Sequence, residues 1–168
     1  MKIDIFATTR FDHVTQSFGI YDDPNFPEKP SNIVPFDDGV VKVENINKWD
    51  IYFVPIDKNF TCYKPNTKDI ESQCDVLLIS IRPLKKYDLH FVELKEMRKN
   101  WITGGKEQLK KTILNFQNSY SLSCISKKCA FLANKKHPSF HYNHKSTMEK
   151  FRSETGFRLN ICATIPIK

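Results

Sequence analysis

Glycine is scarce in this chain, five among 168 residues, and nowhere clustered into a loop that would wrap a phosphate. Nucleotide binding through a run of backbone amides is therefore set aside. There is no low-complexity tract, internal repeat or domain linker, which argues against a solenoid or a disordered chain. The opening residues, Met1-Lys2-Ile3-Asp4-Ile5-Phe6, place an acid inside their apolar patch. They read as neither signal peptide nor membrane span, so a cytoplasmic protein without membrane contact is expected. Five cysteines, Cys62, Cys74, Cys124, Cys129 and Cys162, are odd in number and irregularly spaced. Without a secretory signal they read as free thiols in a reducing compartment.

What is present suits one compact domain: 40% hydrophobic and 27% charged residues, over a length that can bury a substantial core. The net charge of +7 conceals an asymmetry. Residues 1–75 carry 8 Lys and Arg against 13 Asp and Glu, net −5, whereas residues 76–168 carry 18 against 6, net +12. A field segregated in this way attracts polyanions and raises their encounter rate, which makes nucleic acid the leading partner.

Along the chain, Phe11, Val14, Thr15 and Phe18 stand at helical spacing. Pro24, Pro27, Pro30 and Pro35 then predict a loop or extended arm over residues 21–38. Val40 to Val43, Asp50 to Ile56 and Phe60 to Tyr63 are short strand candidates with hairpin-like pairing. Val76 to Ile81 and Leu89 to Leu94 are continuously apolar, as central strands covered on both faces are. The short Arg82 to Asp88 turn between them predicts antiparallel pairing. After a Thr103-Gly104-Gly105 break, Leu109, Ile113, Phe116 and Tyr120 form the apolar stripe of a helix over residues 106–118. Cys129 to Ala133 is a further strand, Ser146 to Thr155 a helix closed by Gly156, and Arg158 to Ile165 a last strand. The sum is a single α/β (α+β) domain, a central mixed sheet flanked by helices.

The chemistry concentrates at the end of the Leu89 to Leu94 strand. Strand alternation puts Glu93 and Lys95 on one face. If the two apolar strands pair antiparallel, Asp75, at the start of the first, comes beside Glu93 and Lys95 at the end of the second. Two carboxylates and a backbone carbonyl, that of Leu94, suit a Mg²⁺ or Mn²⁺ ion that keeps several waters. A divalent cation supplies both a deprotonated water and positive charge against a phosphodiester under attack. Lys95 is placed to orient that water or to stabilise charge on the phosphate.

The order Cys74-Asp75, apolar strand, Phe91-Val92-Glu93-Leu94-Lys95, then Glu107-Gln108-Leu109-Lys110 resembles the PD-(D/E)xK nuclease superfamily over roughly residues 74–133. That resemblance implies a restriction endonuclease-like fold. It also implies Asp75 and Glu93 as metal-binding acids, Lys95 as active-site lysine and Gln108 as a helical glutamine beside the site. Cys74 replaces the usual proline, and the acid often found on the superfamily's first helix has only Asp12 and Glu44 as weak candidates. The activity implied is a Mg²⁺-dependent endonuclease, with DNA favoured over RNA, acting as a homodimer where both strands are cut or as the cutting part of a larger nuclease assembly.

Three other features have two readings each. Arg98, Lys99, Lys106, Lys110 and Lys111 either contact a nucleic-acid backbone or solvate a helix face. Trp101 either stacks on a base or packs into the core. Cys124 and Cys129 with His137, His141 and His144 mix zinc-ligand types, but only seven residues separate Cys129 from His137, against about twelve in finger-type sites. A solvated His loop is the simpler reading. The alternative to catalysis as a whole is a nucleic-acid-binding or protein-interaction module that keeps the fold without the chemistry.

Overall fold

The two continuous apolar runs become the middle of a sheet in the computed structural model, which describes residues 11–64, 66–96, 100–134 and 144–168. They form β6 (Val76–Arg82) and β7 (Lys86–Lys95), paired antiparallel from Val76 opposite Val92 to Arg82 opposite Lys86. β7 then pairs parallel with β8 (Ile125–Asn134), and β8 with β9 (Arg158–Ile161). On the other side β6 pairs antiparallel with β5 (Asp50–Pro55), and β5 with β1 (Asp12–Val14). The result is a mixed six-stranded sheet in the order β1-β5-β6-β7-β8-β9.

One face of this sheet carries the two helices, α1 (Trp101–Ser119) and α2 (Lys145–Thr155), and that core includes Leu77, Phe91, Leu109, Ile113, Leu132 and Phe157. The opposite face packs against a second sheet, ordered β10-β4-β2-β3, made of β2 (Phe18–Tyr21), β3 (Asn32–Val34), β4 (Val41–Glu44) and β10 (Thr164–Pro166). Phe18, Val41, Val43 and Ile165 meet Phe53, Leu78 and Val92 there. Because apolar matter covers the central strands on both sides, β6 and β7 read as uninterrupted apolar runs. This is a single α+β domain, consistent with the expected restriction endonuclease-like arrangement. No helix among the described residues is long and apolar enough to cross a membrane.

Several local expectations give way to tertiary context. The helical spacing from Phe11 to Phe18 belongs instead to parts of β1 and β2, separated by a bend. Two apolar residues four apart fit either period, and pairing with β5 and β4 decides between them. The 21–38 arm contains β3, which pairs with β2 at the edge of the second sheet, where prolines before and after it cost no ladder bonds. Phe60 to Tyr63 forms no strand, only an isolated bridge between Tyr63 and Ile70. Nor do β4 and β5 form a hairpin, since they lie in different sheets. The final strand divides at Cys162-Ala163, so β9 closes one sheet and β10 enters the other, parallel to β4.

The glycine pair is not a break. It lies inside the first turns of α1, and Gly105 is there for space: a Cβ would run into Leu132 Cδ1 and come within 3.3 Å of Glu93 Cγ and 3.4 Å of Lys95 Cε. Nothing stands within 4 Å of a Cβ at Gly104. Gly104→Ala is therefore expected to stabilise the protein by about 0.5–1 kcal/mol through helix propensity. Gly105→Ala is expected to lose that gain and more, by about 1–3 kcal/mol of overpacking against buried Leu132. Urea unfolding of the two variants compares them; equal stability would mean α1 does not rest this closely on β7 and β8. At the other helix, Gly156 adopts φ 74° just past Thr155, the left-handed C-cap that the sequence predicts.

Candidate active site

The β6–β7 register assembles the site. Asp75 immediately precedes Val76, whose partner is Val92, so its carboxylate reaches the end of β7. Asp75 Oδ2 accepts a 2.6 Å hydrogen bond from the Leu94 N–H, and the Asp75 carbonyl accepts one of 2.7 Å from Ile56 N–H. In an antiparallel ladder a residue's N–H and C=O face the same neighbour. The Leu94 carbonyl therefore also turns toward the Asp75 side.

Strand alternation places Glu93 and Lys95 together on the α1 face. Lys95 Nζ lies 2.5 Å from Glu93 Oε1 and 2.6 Å from Gln108 Oε1. Gln108 is held in turn by donating from Nε2 to the Gln73 carbonyl at 3.2 Å. One helical turn on, Thr112 Oγ1 donates to the Gln108 carbonyl and accepts from Cys74 N–H at 2.8 Å. Asp75, Glu93, Lys95 and Gln108 thus form one connected group. Glu93 is 1% exposed and Asp75 8%, while the Lys95 side chain retains 19% exposure, so the group opens to solvent on the lysine side.

The charge of these two buried carboxylates is relieved only in part by the Leu94 N–H and Lys95. Burial first, then the nearby Asp22 and Asp57, raise Asp75 to about 7 against the opposing Leu94 N–H and Lys95. Glu93 is raised well above the usual carboxylate range, first by burial and then by Asp75, with Lys95 pulling the other way. Glu93 Oε2 is buried without a hydrogen-bond partner. An unsatisfied carboxylate oxygen beside a second carboxylate, both costly to ionise, fits a divalent cation with hard oxygen ligands. Asp75, Glu93 and the Leu94 carbonyl are the groups that would hold it. Among the described residues no group of three or more His, Cys, Asp or Glu side chains is placed to hold a metal, so bound waters would complete any coordination.

The acids expected as a supplement do not supply one. Asp12 is on the edge strand β1 and Glu44 on β4 of the second sheet; the acids that bear on Asp75 are Asp22 and Asp57. Between these, Lys58 Nζ stands 3.5 Å from Asp22 Oδ1 and 3.7 Å from Asp57 Oδ2, with its backbone at φ 62°. No spacing rule marks this trio, because β2 and β5 are brought together only by the packing of two sheets.

The basic residues of α1 are already engaged. Lys111 pairs with Glu71 at 2.8 Å, Lys110 with Glu154 at 3.0 Å and Lys106 with Glu107 at 3.8 Å. Such exposed pairs are worth little and can be exchanged for phosphate, yet α1 does not present them as an unpaired stripe. Arg98 and Lys99 lie outside the described residues, as do His137 and His141 of the zinc alternative. Trp101 is 4% exposed and packs in the core. Comparisons with protein-family models, with curated proteins and with solved structures gave no match, which leaves the resemblance at Asp75, Glu93, Lys95 and Gln108 as a likeness of motif.

Proposed function

We propose that this chain is a metal-dependent nuclease that hydrolyses phosphodiester bonds, DNA in preference to RNA, with Mg²⁺ or Mn²⁺ as cofactor. The observation that carries the reading is the buried, unpartnered Glu93 Oε2, on a carboxyl raised by burial and by the charge of Asp75, with Lys95 bound to the other Glu93 oxygen. When bound, the cation supplies a water of lowered pKa and neutralises charge on the phosphate. The chain's own groups divide the remaining work. Burial raises both Asp75 and Glu93, and positive charge set against them favours their ionised forms. Gln108 fixes the Lys95 ammonium from the helix side, so that the charge is already oriented and little reorganisation is needed when phosphate charge develops. The basic half of the sequence, net +12, attracts polyanions to the chain.

The test is cleavage of supercoiled plasmid, single-stranded DNA and single-stranded RNA, each with Mg²⁺, Mn²⁺ or EDTA. Metal-dependent cutting of the DNA substrates is expected, abolished by EDTA. Binding to all three without cleavage under any metal would instead favour a module that keeps the fold without the chemistry.

A further inference from the structure

The helix-bearing face of the large sheet is not completely filled. Between the last turn of α1, residues 121–125 and the β5-β6-β7 side of the sheet lies a cavity of about 420 Å³. Its walls include Tyr52, Ile81, Tyr87, Leu89, Phe116 and Tyr120, and apart from the tyrosine hydroxyls only Ser121 and the Cys124 thiol interrupt the hydrocarbon. That volume falls within the range of about 300–1,000 Å³ in which proteins bind small molecules. The cavity is separate from the acidic site, which lies at the opposite ends of β6 and β7.

One cation stands on the cavity face. Lys128 pairs with the lining residue Leu89 in the β7–β8 register and so projects from the same face, half-buried. It forms no ion pair among the described residues. The nearest acid in sequence, Asp88, is buried and engaged by Arg82 at 2.8 Å and by Lys127 N–H at 3.0 Å. An apolar interior beside one unpaired ammonium group is complementary to a hydrocarbon chain ending in a single negative charge.

We propose that this cavity binds a single-chain anionic amphiphile of the fatty-acid type, with its alkyl chain against Tyr52, Leu89 and Phe116 and its carboxylate at Lys128. The inference does not depend on the nuclease reading. A preformed apolar pocket binds with an affinity that grows with chain length, about fourfold per buried methylene, whereas Lys128 sets the preferred headgroup charge.

Isothermal titration of the full chain with decanoate, dodecanoate, dodecanol and dodecyltrimethylammonium, below their aggregation concentrations, tests it. Dodecanoate is expected to bind at one per chain, more tightly than decanoate and than either dodecanol or the cation. Lys128→Glu should weaken dodecanoate about tenfold through loss of attraction and added repulsion, leaving dodecanol unchanged. Cys124→Trp, at an exposed position that lines the cavity, should abolish binding of both while circular dichroism remains that of the unaltered protein. The proposal is overturned if dodecanoate does not bind, if the three headgroups bind equally, or if binding requires replacing Ile3, Ile5 and Phe6 by Asp. That last result would make the cavity a seat for the chain's own apolar residues.

Discussion

Asp75→Asn is expected to reduce metal-dependent cleavage at least about a hundredfold, the scale seen when one preorganised electrostatic contact is removed, and at the same time to make the protein more stable. Both effects have one cause. Asn keeps an oxygen for the Leu94 N–H but removes a buried negative charge that burial raises from 3.8 to about 7. With a folded-state pKa above the unfolded one, the folded protein binds the extra proton between about pH 4 and pH 7. Stability from this group is therefore present at low pH and lost as pH rises through that window. At about 1.4 kcal/mol per unit, Asn is expected to recover between about 1 and 4 kcal/mol near pH 8, the upper figure ignoring local relaxation. Mg²⁺ should stabilise the unaltered protein near pH 8, do so less near pH 5.5 where protons compete, and have little effect on the Asn variant. Thermal unfolding with and without Mg²⁺ at the two pH values reads all of this. A variant that cuts at the unaltered rate, or is less stable near pH 8, would remove Asp75 from the site.

Lys95→Met is expected to separate catalysis from binding. The methionine fills the alkyl path of the lysine but leaves Glu93 Oε1 and Gln108 Oε1 without their shared donor. Turnover should fall about a hundredfold or more, since the ammonium acts where charge develops on the phosphate. Nucleic-acid binding should remain, and divalent metal should still bind, with its pH midpoint moved upward because Lys95 no longer holds the Glu93 carboxyl down. Lys95→Arg is not expected to restore the rate, because a planar fork cannot substitute for a point charge held between two oxygens. Titration calorimetry with Mn²⁺ alongside the plasmid assay decides the matter. Unchanged turnover in Lys95→Met would reduce its contact with Glu93 to a structural ion pair.

The candidate site was legible because its parts are local in sequence and use the simplest geometry. Glu93 and Lys95 share a face through the twofold period of a strand, and Asp75 joins them through one short antiparallel connection. Gln108 was identifiable only by its position in the order of motifs. Its bonds to Lys95 and Gln73 depend on how closely α1 lies over β7, which Gly105 permits. The glycine pair misled for the same reason: conformational preference marks it as a break, whereas contact with Leu132 decides its use.

By itself the sequence determined the pairing of β6 with β7, the amphipathic stripe of α1, the capping of α2 at Gly156 and the order Asp, Glu-x-Lys, Gln. Each follows from periodicity or backbone preference within a few residues. Only the tertiary structure decided that a second sheet covers the other face, dividing the last strand between two sheets. It also decided that Asp22, Asp57 and Lys58 stand near the site, that Lys106, Lys110 and Lys111 are already paired, and that one oxygen of Glu93 is buried without a partner. Burial and charge pairing are sums over neighbours distant in the chain, so no local pattern encodes them.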